Sequence, residues 1–210
     1  MKRGKFITLE GGEGVGKTTN LQYIQQFLLE QQIEVVVTRE PGGVSVAEKL
    51  RSLIVEETSL YPEAELLLLF AGRVHHIQEL ILPSLNQGKW VICDRFTDAS
   101  YAYQGEGRGI AWRRIEYLED WLQKGLKPDL TLLLDAPVEV GLNRTRQRTD
   151  NNRFEKESLA FMQRVRRGYL LLSQLHPERI RRIDATRPLS QVQAQIGGIL
   201  QELITSWRQS

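Results

Sequence analysis

Residues 11–18 constrain what this chain can fold into more than any other stretch. They read Gly11-Gly12-Glu13-Gly14-Val15-Gly16-Lys17-Thr18, which meets the phosphate-loop pattern G-x-x-x-x-G-K-[ST] at every position. An apolar run at 5–10 precedes the loop. A stretch with apolar side chains at helical spacing, Leu21, Ile24, Phe27 and Leu28, follows it. In that strand–loop–helix setting the glycines let backbone N–H groups converge on phosphate oxygens, and the helix N-terminus adds favourable partial charge. Lys17 is placed for the β- and γ-phosphates and the Thr18 hydroxyl for Mg2+. The loop therefore predicts a nucleoside triphosphate site. The dinucleotide pattern G-x-G-x-x-G does not fit, because Glu13 stands where a glycine is required. No guanine-reading N-K-x-D segment occurs either.

The rest of the chain alternates apolar runs with amphipathic stretches. Strands are expected at 5–10, 33–38, 90–94 and 128–137, with a weaker fifth at 179–185. Helices are expected at 18–32, 46–57, 62–85, 112–125, 138–148, 155–175 and 189–207. Pro62 opens the long helix and Gly88 follows it; Gly105, Gly107 and Gly109 mark a loop after the third strand. Strands alternating with helices imply a parallel sheet covered on both faces: a three-layer α/β/α P-loop NTPase fold with five strands. The 210 residues suit a single domain spanning 1–210. Residues 144–154 are too poor in apolar side chains to bury themselves, and a mobile surface element is expected there.

Composition excludes several classes. A formal net charge of +2 does not suggest a nucleic-acid binder, yet arginines cluster between Arg144 and Arg187, which implies a small anionic partner such as a phosphate group. One cysteine builds no disulfide framework and no zinc site, so Cys93 is expected in the core. His75, His76 and His176 lack metal-ligand spacing. No apolar run is long enough to span a membrane. The run after Lys2, Arg3 and Lys5 reaches Glu10 too soon for a targeting segment, and the cytoplasm is the expected location.

The third strand ends on Asp94-Arg95-Phe96. Ligands of open parallel sheets bind at the carboxyl ends of strands, so Asp94 is expected beside the loop, holding Mg2+ through water or orienting an acceptor. The guanidinium of Arg95 can bridge two phosphates. Arg73 lies in an apolar helix face and needs an anionic or carbonyl partner. Tyr101 and Tyr103 cannot share a helix face, so only one of them is expected at a pocket.

These segments together resemble the thymidylate kinase family of the bacterial kind, along nearly the whole chain. The resemblance rests on "FITLEGGEGVGKTT" (6–19), "TREPGG" (38–43), "FAGR" (70–73), "DRFTDASYAYQGEGR" (94–108), "PDLTLLLD" (128–135) and the arginine-rich "RTRQRTDNNRFE" (144–155). It implies ATP-dependent phosphorylation of dTMP to dTDP, in dTTP biosynthesis, with Mg2+ and as a homodimer formed through the helices at 62–87 and 112–124. It implies that Glu13 accepts from the sugar 3′-hydroxyl and that Arg73 donates to the base O4. Ser100 would bond the base edge, with Gln104 in the same pocket. Tyr103 would pack under the sugar, Pro41 against the base or sugar, and Arg95 on the acceptor phosphate. Arg39 would sit nearby. Many members stack an aromatic side chain on the base from four residues before this arginine. Here that position is Leu69, and the stacking side chain is expected to be Phe70.

In this family type the phosphate loop carries no arginine, and none stands at 11–16. The resemblance assigns the missing charge to a lid over about 144–155, with Arg153 first and Arg148 second on the transferring phosphate and Arg144 stacking on adenine. Direct in-line transfer then needs alignment and positive charge rather than a strong base. Two other readings are weighed: a deoxynucleoside kinase or similar small-molecule P-loop kinase, and a non-catalytic nucleotide-binding switch.

Overall fold

The structure, a computed structural model, describes residues 2–57, 59–145 and 157–209. Five strands form one sheet in the order β2-β3-β1-β4-β5, with every neighbouring pair parallel. They are β1 (Phe6–Glu10), β2 (Val35–Arg39), β3 (Trp90–Asp94), β4 (Leu130–Asp135) and β5 (Ile180–Asp184). The helices are α1 (Lys17–Glu30), α2 (Ser45–Glu56), α3 (Pro62–His76), α4 (Leu82–Asn86), α5 (Thr97–Ser100), α6 (Trp112–Gln123), α7 (Val138–Thr145), α8 (Leu159–Leu175) and α9 (Leu189–Gln209).

Central strands must be apolar on both sides, and β1 and β4 are buried throughout. Ile7 and Leu9 join Ile24 and Leu28 of α1 and Ile196 and Leu200 of α9 in one core. Phe6 points to the other face, with Ile81, Leu85, Val91 and Phe96. On that second face α8 packs Phe161, Met162, Val165 and Tyr169 against Leu133. This is the expected three-layer arrangement. β5 is weak in sequence because it is an edge strand that exposes Arg181 and Arg182, charges that discourage pairing with another chain. Cys93 lies fully buried in the second core, as expected of a lone cysteine. No helix among the described residues is long and apolar enough to cross a membrane.

Two expectations need correction. The long helix from Pro62 does not keep one pitch: a π-helical turn at Ile77–Ile81 joins α3 to α4. Pro83 has no N–H to donate and crowds the preceding turn, and a widened turn absorbs that misfit. The segment carrying Gly105 and Gly107 is not a loop. After α5 it continues as π-helical backbone over Tyr101–Gly107. A Cβ on Gly107 would lie 2.8 Å from the Phe161 ring, so this glycine serves close packing on α8. Gly109, at φ +82°, follows as the turn. The helices expected at 138–148 and 155–175 appear as α7 and α8, and their parts between 146 and 156 lie outside the described residues.

A buried pair ties this second layer to the sheet. Arg179 Nη1 and Nη2 donate to the two Asp98 oxygens at 2.7 and 2.9 Å, and Nη1 also reaches Thr131 Oγ1 at 2.7 Å. Asp98→Ala would leave Arg179 without its carboxylate and is expected to cost about 3–5 kcal/mol. Urea denaturation would read this as a lower midpoint at unchanged slope, and Asp98→Ala/Arg179→Met should recover part of the loss.

Candidate active site

The register of the sheet builds the site. Leu9 pairs with Asp94 across β1 and β3, so the loop that follows β1 and the Asp94-Arg95-Phe96 turn leave the sheet side by side. The loop can curl tightly because its backbone meets α7 directly. A Cβ on Gly14 would lie 2.1 Å from the Gly141 carbonyl oxygen, and one on Gly141 would lie 2.2 Å from that of Glu13. Lys17 folds back over the loop, with Nζ 3.4 and 3.2 Å from the Gly11 and Gly12 carbonyl oxygens.

A cavity of about 290 Å3 opens at the carboxyl ends of β1, β2 and β3. Of the residues singled out in the sequence, Glu13, Gly14, Val15, Gly16, Lys17, Thr18, Arg39, Pro41, Arg73, Asp94, Arg95, Ser100, Tyr103 and Gln104 line it. Gly11 and Gly12 lie on the other side of the loop, against β4 and α8. Of the two tyrosines only Tyr103 reaches the cavity; Tyr101 packs on Trp112 and donates to Glu119 at 2.7 Å.

The phosphate loop and the β3 turn are joined by an ion pair. Arg95 Nη2 donates to Glu13 Oε1 at 2.6 Å, and Nη1 donates to the Gly11 carbonyl at 3.0 Å and to Tyr169 Oη at 2.9 Å. Tyr103 Oη also donates to Glu13 Oε1, at 2.9 Å. Burial raises the Glu13 pKa, but Arg95, Lys17 and the tyrosine hydrogen bond more than offset it, and the carboxyl titrates at about 2. Lys17 is pushed below its ordinary value by burial and by Arg95, which the nearby carboxylates do not fully offset.

Arg73 has found the partner its apolar setting demanded. Its Nε donates to Glu40 Oε2 at 2.7 Å and Nη2 to Ser100 Oγ at 3.1 Å, while Nη1 is buried without a partner. Gln104 Nε2 donates to Glu65 Oε1 at 2.7 Å. Phe70 requires correction, because it does not line the cavity. Leu69 does, whereas Phe70 is packed with Leu66, Ile110 and Ile115 beneath the Arg73 guanidinium. Residues three and four before Arg73 both lie on its side of the helix but on opposite flanks; Leu69 falls on the flank that faces the cavity and Phe70 on the flank that faces the core.

Asp94 Oδ1 is buried with no partner and borders the same cavity as Thr18 and Lys17. An unsatisfied carboxylate oxygen beside a threonine hydroxyl suits a hard cation. Among the described residues no group of three or more His, Cys, Asp or Glu side chains could hold a metal alone. A cation there would need ligand phosphates to complete its shell, as Mg2+ commonly does. Arg144 is exposed and donates to the Ala185 carbonyl at 3.1 Å. Arg148 and Arg153 lie outside the described residues.

The sequence reading missed Arg51, Val55 and Glu40, which also line the cavity. Arg51 and Val55 stand one turn apart on α2, next to the buried Ala47 and Ile54; helical periodicity could have flagged that face. Arg51 Nη1 donates to the Pro41 carbonyl at 3.0 Å, with no carboxylate in ion-pair reach among the described residues. Burial and Arg39 push its guanidinium below its ordinary value.

A phosphate loop at the carboxyl edge of a parallel sheet, facing a cavity lined by cations and an unsatisfied carboxylate oxygen, marks a P-loop nucleotide-binding protein with room for a second small molecule beside the loop. The thymidylate kinase family model matches residues 9–196. A thymidylate kinase of Methylococcus capsulatus is 57% identical over 204 residues, covering 97% of this chain and 98% of that one. Another from Alkalilimnicola ehrlichii is 50% identical over 99% of this chain and 97% of its own. The crystal structure of thymidylate kinase from Ehrlichia chaffeensis superposes with a TM-score of 0.77 at 33% identity, covering 94% of this chain and 99% of that one. The chain belongs to the thymidylate kinase family and is a nucleoside monophosphate kinase.

Glu10, at the end of β1, is fully buried; it accepts from Phe96 N and Tyr169 Oη, both at 2.7 Å. Burial and the Asp98 charge push its carboxyl up from 4.5 to about 8. Between those values the unfolded chain is ionised at Glu10 while the folded protein keeps its proton, so unfolding releases a proton. Stability from this group should therefore fall as pH rises from about 5 to 8. Urea midpoints across that range should show a shallower fall in Glu10→Gln than in the unsubstituted protein.

Proposed function

We propose that this cavity carries ATP-dependent phosphorylation of dTMP to dTDP by direct in-line transfer. The observation that supports it most is the unspent donor of Arg73, which borders the same cavity as Lys17 and the phosphate loop. A pyrimidine carbonyl would accept from Arg73 Nη1, with Ser100 and Gln104 at the base edge and Leu69 and Pro41 on the base. Tyr103 would lie under the sugar, and Glu13 would accept from the 3′-hydroxyl. Arg95 and Arg51 would face the acceptor phosphate. ATP would lie along residues 11–18, with its phosphates on the loop N–H groups and Lys17, and with Arg144 at the adenine.

An oxygen of the dTMP phosphate attacks the γ-phosphorus. The bond from that phosphorus to the bridging oxygen breaks, and ADP leaves with the electron pair. The attacking oxygen is already anionic, so no strong base is needed. Mg2+, held by Thr18 and through water by Asp94, would neutralise phosphate charge when bound. The lid over about 144–155, with Arg153 first and Arg148 second, would complete the charge around the transferring group and exclude water.

A homodimer and a cytoplasmic setting belong to the same proposal. Leu67 on α3 and Tyr117 and Trp121 on α6 are exposed, and burial against a second copy would cover them.

With ATP and Mg2+, a coupled assay on dTMP, dUMP, dCMP, AMP, GMP and unphosphorylated thymidine should show the highest kcat/KM for dTMP. Preference for any other acceptor would overturn the substrate assignment, and nucleotide binding without acceptor-dependent turnover would favour the switch. Lys17→Ala should abolish transfer while keeping an unchanged circular dichroism spectrum. Arg153→Ala should lower kcat roughly 10³-fold or more, by analogy with arginine fingers, with a smaller change in dTMP affinity; an unchanged kcat would remove Arg153 from catalysis.

A further inference from the structure

Behind the cavity wall runs a buried polar chain that the transfer reaction does not itself use. Arg73 gives a single bond to Glu40, from Nε to Oε2 at 2.7 Å. The other carboxylate oxygen, Oε1, is 3.0 Å from His76 Nδ1, and His76 Nε2 is 2.7 Å from Thr38 Oγ1. His76 is fully buried, one helical turn beyond Arg73 on α3. An ionised Glu40 only accepts, so His76 Nδ1 must donate to it; in the neutral ring Nε2 then accepts from the Thr38 hydroxyl. Gly43 closes over this contact: a Cβ there would lie 2.5 Å from Thr38 Oγ1 and 2.6 Å from His76 Nε2. His76 thus links the end of β2 and the loop after it to the helix that carries Arg73.

Guanidinium and carboxylate groups left to themselves favour a two-bond fork. This chain contains that fork at Asp135, whose oxygens take Arg166 Nε and Nη2 at 2.7 and 3.1 Å even though Oδ2 also accepts from Arg182. In the Arg73–Glu40 pair only Nε reaches the carboxylate: Oε1 is turned to His76 Nδ1 at 3.0 Å, and Nη2 donates instead to Ser100 Oγ at 3.1 Å and to the Phe96 carbonyl at 3.4 Å. The guanidinium is held over the Phe70 ring at 4.5 Å, with Nη1 unspent.

We propose that His76 is a positioning residue for acceptor recognition: by holding Glu40 Oε1 it keeps the Arg73–Glu40 pair to one bond and so keeps Arg73 directed at the acceptor base. This rests on the reading of Arg73 as a base-contacting residue. His76→Leu keeps the volume and removes both hydrogen bonds, so Arg73 closes into a fork on Glu40. His76→Asn keeps a donor near the Nδ1 position. His76→Gln keeps a polar group near Nε2, facing Thr38, and loses the bond to Glu40.

The measurements are KM for dTMP and for ATP, kcat, the dTMP-over-dCMP ratio of kcat/KM, and thermal midpoints. The dTMP KM should rise roughly tenfold in His76→Leu and His76→Gln, the scale of one hydrogen bond to a charged group. The ATP KM and kcat should stay within about twofold. Discrimination against dCMP, which presents an amino group in place of the carbonyl, should fall with it. His76→Asn should stay near the unsubstituted enzyme. An unchanged dTMP KM in His76→Leu overturns the proposal, as does a parallel rise in both KM values with a lowered midpoint, which marks packing alone. Should His76→Leu not fold, equal dTMP KM values for the Asn and Gln variants overturn it. Arg73→Gln separates the two levels. If that variant keeps its dTMP KM and its discrimination, the reading of Arg73 itself falls; if it loses both while the His76 variants lose neither, only the His76 proposal falls.

Discussion

A cation withdrawn from water is unfavourable unless a carboxylate or a ligand compensates it, and the cavity wall is organised around that constraint. Arg95 is matched by Glu13 at 2.6 Å and Arg73 by Glu40 at 2.7 Å. Arg39, at the end of β2, pairs with Glu48 at 2.9 Å but stays exposed to water, so the constraint does not bear on it. Lys17 and Arg51 have no such match among the described residues. They bond only to carbonyl oxygens, Gly11 and Gly12 for the lysine and Pro41 for the arginine. Both are pushed below their ordinary pKa, burial being the largest cause. Positive charge that the nearby carboxylates offset only in part therefore sits at two places along the cavity, one on the phosphate loop and one on α2. An anion bound there would complete the compensation, a physical basis for affinity that adds to backbone N–H donation.

The central sheet was legible because its residues leave few alternatives. Strands β1, β3 and β4 are apolar on both faces, and each stands between turn signals. The edge strand β5 was faint because half of it faces water and carries arginines. Local signals misled where packing outweighed them. Gly105 and Gly107 read as breakers, yet they sit in helical backbone, where Trp112 of α6 and Phe161 of α8 respectively approach too closely for a side chain. Glycine has two uses, conformational freedom and small size, and a single sequence does not say which applies.

The site was legible where a motif names an atom and less so where direction on a helix decides. Lys17, Asp94, Arg95, Ser100 and Tyr103 meet at one cavity as their segments implied. Phe70 does not, since the choice between it and Leu69 depends on which side of α3 faces the cavity, and that is set by how α3 packs on α6 and Ile110. Arg51 and Val55 continue the inward side of α2 marked by Ala47 and Ile54, but that spacing does not separate a ligand from the core, and Arg51 escaped notice. Glu40 was passed over because its partners, Arg73 and His76, lie more than thirty residues away.

Arg95 shows how one side chain is aimed at the loop. Its backbone adopts φ +70°, a left-handed conformation that costs a non-glycine residue roughly 1–2 kcal/mol. Several bonds hold it there. Arg95 N donates to the Leu9 carbonyl at 3.0 Å, and Phe96 N donates to Glu10 Oε1 at 2.7 Å. Without that reversal the chain would continue along β3 and the guanidinium would point past the sheet. With it, Nη1 turns back to Gly11 and Nη2 to Glu13, so the end of one strand is clasped to the loop that follows its neighbour. Tyr169 Oη reaches both Glu10 Oε2 and Arg95 Nη1, at 2.7 and 2.9 Å, which brings α8 into the same clasp. The helix immediately beyond the 146–156 segment is thereby joined to the arginine nearest the phosphate loop. A phosphate that draws Arg95 away from Glu13 or Gly11 acts on a residue whose backbone is already fixed, so the guanidinium exchanges partners without the turn having to re-form.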